Sequence, residues 1–386
     1  MFPSRYTNLT AARARFGDRV DRLGPYLTKV DEVADRVVAA IDALPPGAGW
    51  RMFEEATRRG VVSVPEAPSS FVELFREAER VPLWVDWPTL DRGGQVLLRA
   101  GALGGIVLGL KSIVSGYTTP AGNKPLVFSG RLRHETTRRL HETSRFVEAT
   151  ISRGGLRPRA DGYRITLKVR VMHAQVRRMI LRGGGWNAEA WGAPINQHDQ
   201  MGTLLLFSDI VLRGLEQLGL RVSRDDAEAY MQLWRYSGYL IGVDPELIPT
   251  SRAEAEGYVD LIAATQAPPD DDSRALTRAL LEAGRLAAKT PREKKQAERL
   301  YQFSVGMCRE LLGSEMADQL DVPRASWTFM MPFLRRLIAG ADRIRETVPF
   351  AEVRALGSGT SYWKRVVDLG LAEAAIDFAL PESLRG

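Results

Sequence analysis

The sequence predicts an all-α protein. Three observations carry that prediction. Apolar residues recur at three- and four-residue spacing through most of the 386-residue chain. Glycine and proline clusters cut this pattern into segments of helix length. Stretches with strand-like alternation are few and short. The chain reads as one large helical domain, 1–386, with a core at about 70–250 and a helical C-terminal extension at about 251–386.

The elements follow in order. Residues 30–44 keep helical spacing and stop at Pro45-Pro46-Gly47. A short helix at 71–80 closes at Val81-Pro82. The helix expected at 96–115 includes Gly-Ala-Leu-Gly-Gly-Ile-Val-Leu-Gly-Leu, whose small residues suit tight internal packing. Residues 118–126, rich in proline and glycine, read as a loop. A helix restarts at 132–151 and Gly154-Gly155 breaks it. Residues 163–182 form a helix around His173, closed by Gly183-Gly184-Gly185. A Trp/Gly/Pro loop fills 186–195. Residues 199–218, apolar almost all round through 201–212, predict a helix buried on most sides with Gly219 at its end. Residues 225–241 are amphipathic, with Met231, Trp234 and Leu240 inward. Pro268-Pro269-Asp270-Asp271-Asp272 predicts an exposed turn. Thr290-Pro291-Arg292-Glu293 predicts a helix start: a cap, a proline at the first position and a glutamate three residues on.

Composition narrows the function. Hydrophobic residues make up 45% and charged residues 26%, the balance of a soluble globular protein. Cys308 is the one cysteine, so neither an internal disulfide nor a thiolate cluster is available. The net charge is +6. Glutamates and prolines interrupt the basic runs and no groove-binding motif appears, so nucleic acid is not the expected partner. The first twenty residues carry Arg5, Arg13, Arg15 and Arg19 but no apolar run, unlike a secretory signal. The most apolar run, 101–110, falls well short of the roughly 20 residues that span a bilayer. The expectation is a cytoplasmic protein without a membrane span.

Three stretches carry chemistry. The first is Arg170-Val171-Met172-His173-Ala174-Gln175-Val176-Arg177. Val169, Met172, Val176 and Ile180 share a helix face, and His173 adjoins it. With four histidines and one cysteine in the chain, a lone imidazole cannot complete a zinc or non-haem iron site. It can serve as the axial ligand of a haem, because the porphyrin supplies the other four nitrogens. Arg170 and Arg177 lie three residues before and four after, where planar guanidinium forks could meet haem carboxylates. The competing reading is a hydrogen-bonded core histidine.

The second stretch is Asn196-Gln197-His198-Asp199, just before the apolar helix. Asn196 or Asp199 could cap that helix, or could fix the tautomer of His173 from behind. The third is Arg138-Arg139-Leu140-His141-Glu142-Thr143. Arg139, Glu142 and Thr143 can share a face and could polarise bound oxygen or move a proton. An exposed charged helix explains the same spacing.

Read in order, several pieces resemble the latex-clearing-protein (rubber oxygenase) and MpaB-type oxygenase family. They are Val81-Pro82-Leu83-Trp84-Val85-Asp86, Ser115-Gly116-Tyr117, Gly130-Arg131-Leu132, Arg139-x-x-Glu142-Thr143, Arg170-x-x-His173-Ala174-x-Val176-Arg177, Asn196-Gln197-x-Asp199-x-x-Gly202-Thr203-Leu204, and Trp234-Arg235 with Gly238. The resemblance implies a globin-like helical core and one b-type haem (iron protoporphyrin IX), with His173 as its proximal ligand. It implies distal roles for Arg139 and Thr143, and chemistry with dioxygen. One departure stands out: relatives carry lysine in an Arg-x-x-Lys-Thr pattern where this chain has Glu142. The expected function is a haem-dependent oxygenase that uses dioxygen or peroxide on a small apolar or aromatic substrate, with C=C cleavage among its possible reactions. The alternative is a haem-binding carrier or gas sensor without turnover.

Overall fold

The computed structural model describes residues 1–128 and 136–373. Helices follow one another throughout, and no strand occurs among these residues. Gly130-Arg131-Leu132 lies outside the described residues.

Most expected helices form within a few residues of their predicted ends. Glu32–Ala43 begins on Asp31, whose carboxylate accepts the Ala34 N–H at 3.1 Å. Asp161–Arg182 carries His173 for 22 residues. Arg224–Leu240 starts on the Ser223 cap, and Thr290 with Glu293 forms the predicted reciprocal capping box.

Three expectations fail for local reasons. The helix expected at 96–115 turns by 90° at Gly101, between Trp87–Ala100 and Ala102–Tyr117. Gly101 has φ +51°, a conformation that costs glycine little. Within the second piece, Leu108–Ile113 is π-helical. The loop expected at 118–126 is instead the helix Pro120–Phe128. Its opening proline is pre-set for a first turn. Asn123 donates to Tyr117 O and Ser273 Oγ, and Lys124 pairs with Asp270 and Asp272. The helix expected at 199–218 breaks at Ser208 into Gln197–Phe207 and Asp209–Gln217. The Ser208 hydroxyl donates back to Leu204 O at 2.9 Å, and the buried Asp209 carboxylate turns to Arg213 and Arg252.

No single described helix is long and apolar enough to cross a membrane. The bent pair Trp87–Ala100 and Ala102–Tyr117 has suitable length and composition, but it buries Leu97, Val107, Leu108 and Val114 inside the protein.

The histidine helix is fixed from one side by charge. Arg170 donates to both oxygens of Asp31, at 2.6 and 3.1 Å, and to Glu77 at 3.1 Å. Arg177 forks onto Asp35 at 2.7 and 2.9 Å and donates to Ile195 O. Both arginines are about 3% exposed. Burial alone would lower the Arg170 pKa, but Asp31 and Glu77 reverse the effect and raise it. In this structure the two guanidiniums are occupied by Asp31, Glu77 and Asp35. The reason is angular. At about 100° per residue, Arg170 and Arg177 sit about 40–60° to one side of His173, whereas Val169, Met172 and Val176 sit on the other. Sharing a side with His173 did not mean sharing its surroundings.

Asp31→Ala leaves a buried arginine without its main partner and removes a helix cap. It should cost about 3–5 kcal/mol, measured by urea unfolding. The double variant with Arg170→Met should recover part of that loss, since neither charge then stays buried alone.

Lys111 gives a test with a defined sign. It is buried, donates to Leu311 O at 2.7 Å, and burial together with Arg213 pushes its pKa down to about 8, against a pull from Asp209. Between pH 8 and its ordinary 10.5 the unfolded chain holds more protons than the folded one. Wild-type stability should therefore rise through that window relative to Lys111→Met, in unfolding curves taken at each pH.

Candidate functional site

One cavity of about 390 Å³ lies among the helices Ala102–Tyr117, Pro120–Phe128, Thr136–Ile151, Asp161–Arg182, Gln197–Phe207 and Arg224–Leu240. Its size falls in the range of about 300–1,000 Å³ common for small-molecule sites. Each helix contributes through its inward positions. Val169, Met172, His173 and Val176 come from the histidine helix, as the spacing predicted. Ile180, one turn further, is buried in the protein and does not line the cavity. Phe146, Leu204, Phe207, Trp234 and Ile241 build an apolar wall, with Phe207 stacked on Trp234 at 5.1 Å between ring centroids. Ser112 and Ile113 reach it from the π-helical turn, where the extra backbone residue re-aims side chains.

Arg139, Glu142 and Thr143 all line this cavity, together with His173. The helix Thr136–Ile151 thus turns its Arg-x-x-Glu-Thr face inward, so the exposed-helix reading of that stretch does not hold. Glu142 accepts from Arg138 Nε at 3.0 Å, a pair one helical turn apart. Arg139 stands beside the Tyr117 hydroxyl, which burial holds above its ordinary pKa. Tyr117 therefore remains protonated at neutral pH and keeps a hydroxyl hydrogen to donate.

His173 is a neutral imidazole. Burial, with the nearby charge of Arg177, pushes its pKa down to about 4 against the opposing pull of Asp31. Its Nδ1 is buried without a hydrogen-bond partner among the described residues, as is Nε2 of Gln200 on the same cavity wall. Buried polar atoms are normally satisfied. With Trp234 Nε1, three unpartnered ones belong to residues of this one cavity, which fits a site that binds something polar or metallic. No group of three or more His, Cys, Asp or Glu side chains converges among the described residues.

The stretch at 196–199 resolves differently from expectation. Asn196 is fully buried and caps Gln197–Phe207, accepting the Asp199 N–H at 2.9 Å. It does not line the cavity. Asp199 does, but it is not the partner of His173. Arg5 holds both its oxygens, at 2.7 and 2.8 Å, and Asn196 Nδ2 donates to one of them. His198 Nδ1 lies 3.5 Å away. Burial opposes the Asp199 charge, but Arg5 and His198 more than offset it and hold the carboxyl well below its usual range. A carboxylate already forked by arginine has little capacity left for an imidazole.

Sequence reasoning missed Arg5, because nothing in a linear reading joins residues 194 positions apart. It also gave no role to Asn123, Gln200 or Ser237 at the cavity wall. Tyr117 lay in the Ser115-Gly116-Tyr117 piece of the resemblance, and that was the available signal for it.

Comparison with known proteins identifies the family. The family model described as the catalytic domain of ER-bound oxygenase mpaB/B'/Rubber oxygenase matches residues 87–343, which include every residue lining the cavity. A rubber oxygenase from Streptomyces sp. (strain K30) is 30% identical over 326 residues, covering 81% of this chain and 74% of that protein. The solved structure of latex clearing protein LCP in the closed state superposes with a TM-score of 0.67 at 24% identity, over 89% of this chain and 91% of that one. The last comparison supports the shared helical fold. By sequence and by family model, this chain belongs to the MpaB/rubber oxygenase catalytic-domain family, a family of oxygenases.

Proposed function

We propose that this protein is a b-type haem oxygenase that uses His173 as the proximal ligand and acts on an apolar molecule. The observation that carries this reading is the state of His173. It is neutral, its buried Nδ1 is unpaired, and it shares one apolar cavity with Arg139, Glu142 and Thr143. An imidazole must be neutral to donate its lone pair to iron, and at about 4 its pKa leaves it so throughout the physiological range. The haem would supply activation of dioxygen or peroxide.

The chain's own residues supply the rest. Phe146, Phe207, Trp234, Leu204 and Ile241 exclude water and select an apolar substrate by burial. The same wall suits a small aromatic compound and a short isoprenoid segment of the polyisoprene type that the name of the rubber oxygenase relative indicates. Arg139 supplies a fixed positive charge beside the Tyr117 hydroxyl, and Thr143 supplies a second hydroxyl. Both can orient a polar oxygen within an otherwise apolar space. Glu142, steadied by Arg138, supplies a carboxylate that can accept or return a proton. A lysine at this position would offer a cation; a carboxylate changes the group from electrostatic cap to proton carrier.

Protein purified from haem-replete cells should show a Soret band that His173→Ala abolishes. A colourless preparation, or a variant with the same band, would sink the assignment. Glu142→Gln keeps the size but loses the proton-accepting group. It should leave haem content unchanged and lower turnover of an apolar alkene by about 10²-fold or more. Ligand binding to the iron without turnover of any substrate would instead favour a carrier or sensor.

A further inference from the structure

The last two described helices present exposed apolar side chains that the other described residues do not cover. Met331–Thr347 turns Leu334 and Ile338 toward the core and buries Met331 and Asp342. On its other side Phe333, Leu337 and Ile344 follow at intervals of four and seven residues, so they share a stripe. Phe329 precedes the stripe in sequence, and Phe350 and Val353 follow it at the start of Pro349–Glu373. These six side chains are 54–78% exposed. Isolated exposed apolar residues are ordinary, but these six, all within residues 329–353 and three of them phenylalanine, mark an interaction surface.

Charge identifies the partner. Arg336 and Arg343 each precede a stripe residue, one on Leu337 and the other on Ile344, and Arg354 follows Val353. All three are exposed, and no described carboxylate pairs with them. The carboxylates nearby are already committed: Glu346 to Arg221, and Glu352 to Arg99 and Arg345. The face therefore combines bulky apolar groups with unneutralised arginine. A second copy of this chain packed symmetrically on it would bring like charges together. An anionic bilayer surface satisfies both parts, with phenylalanine and isoleucine entering the acyl boundary and arginine meeting headgroup phosphates.

We propose that the face formed by Phe329, Phe333, Leu337, Ile344, Phe350 and Val353, with Arg336, Arg343 and Arg354, docks the protein on anionic lipid membranes. The contact is peripheral and depends on both apolar insertion and charge.

Co-sedimentation of the full chain with vesicles tests this. The chain should bind vesicles of equal parts phosphatidylglycerol and phosphatidylcholine, bind pure phosphatidylcholine far more weakly, and release in high salt. Phe333→Asp with Ile344→Asp should weaken partitioning by at least roughly tenfold. Arg336→Gln, Arg343→Gln and Arg354→Gln together should weaken it on the order of a hundredfold and abolish the preference for anionic lipid. These positions are exposed, so unchanged circular dichroism is expected for both variants. The proposal is overturned if wild type does not sediment with anionic vesicles, or if neither variant changes its partitioning. It is equally overturned if sedimentation velocity without lipid shows a dimer that the apolar variant dissolves while vesicle binding is absent; the face would then belong to a second copy.

Discussion

The buried contact between Arg170 and Asp31 is the constraint on which the site depends. It joins the helix that carries His173 to the cap of the helix at Glu32–Ala43, across 139 residues of chain. A buried ion pair contributes little net stability compared with an apolar pair of the same size, but it tolerates very few geometries. Its role here is positional. With Arg177 on Asp35 one to two turns later, the helix is held at two points along its length and cannot roll. Gly242 closes over the pair with φ +86°, and a Cβ there would lie 2.2 Å from Asp31 Oδ2 and 2.5 Å from Arg170 Nε. The close approach and the backbone conformation both require glycine.

This fixed orientation sorts the environment of His173. One flank of its helix meets charge and hydrogen bonds; the other faces a cavity walled by aromatic and aliphatic side chains. The histidine sits on the seam. Desolvation keeps it neutral, and Arg177 on the charged flank adds to that effect. An imidazole on the same helix exposed to water would titrate near its ordinary value and spend part of its time protonated. The setting of His173 thus rests on charged groups that do not themselves line the cavity.

The opposite wall is arranged by the same economy of backbone. A glycine bend at 101 and a π-helical turn at 108–113 deliver Ser112, Ile113 and Tyr117 to the cavity from a segment that a straight helix would have carried away. From the N-terminal segment, Arg5 forks onto Asp199 and neutralises that wall carboxylate. Arg5 and Asp31 both lie outside the segment that matches the family model, although each fixes a residue within it.

The sequence by itself determined the helical class, most helix limits, the capping box at Thr290 and the grouping of Val169, Met172, His173 and Val176. These properties are local: they follow from spacing, caps and breakers within one or two turns. It also indicated Arg139, Glu142 and Thr143 as one face, because residues three and four apart share a side. Tertiary structure decided what each face meets. Arg170 and Arg177 stand as near to His173 in sequence as Val176 and Val169 do, yet they lie on the other flank and are consumed by Asp31, Glu77 and Asp35. Asn196 and Asp199 could each cap or bind on sequence grounds, and the arrival of Arg5 settled Asp199 as a paired wall carboxylate. A helix wheel fixes angles between side chains but not the identity of the neighbour at each angle, and for a buried charge that neighbour sets both its position and its chemistry.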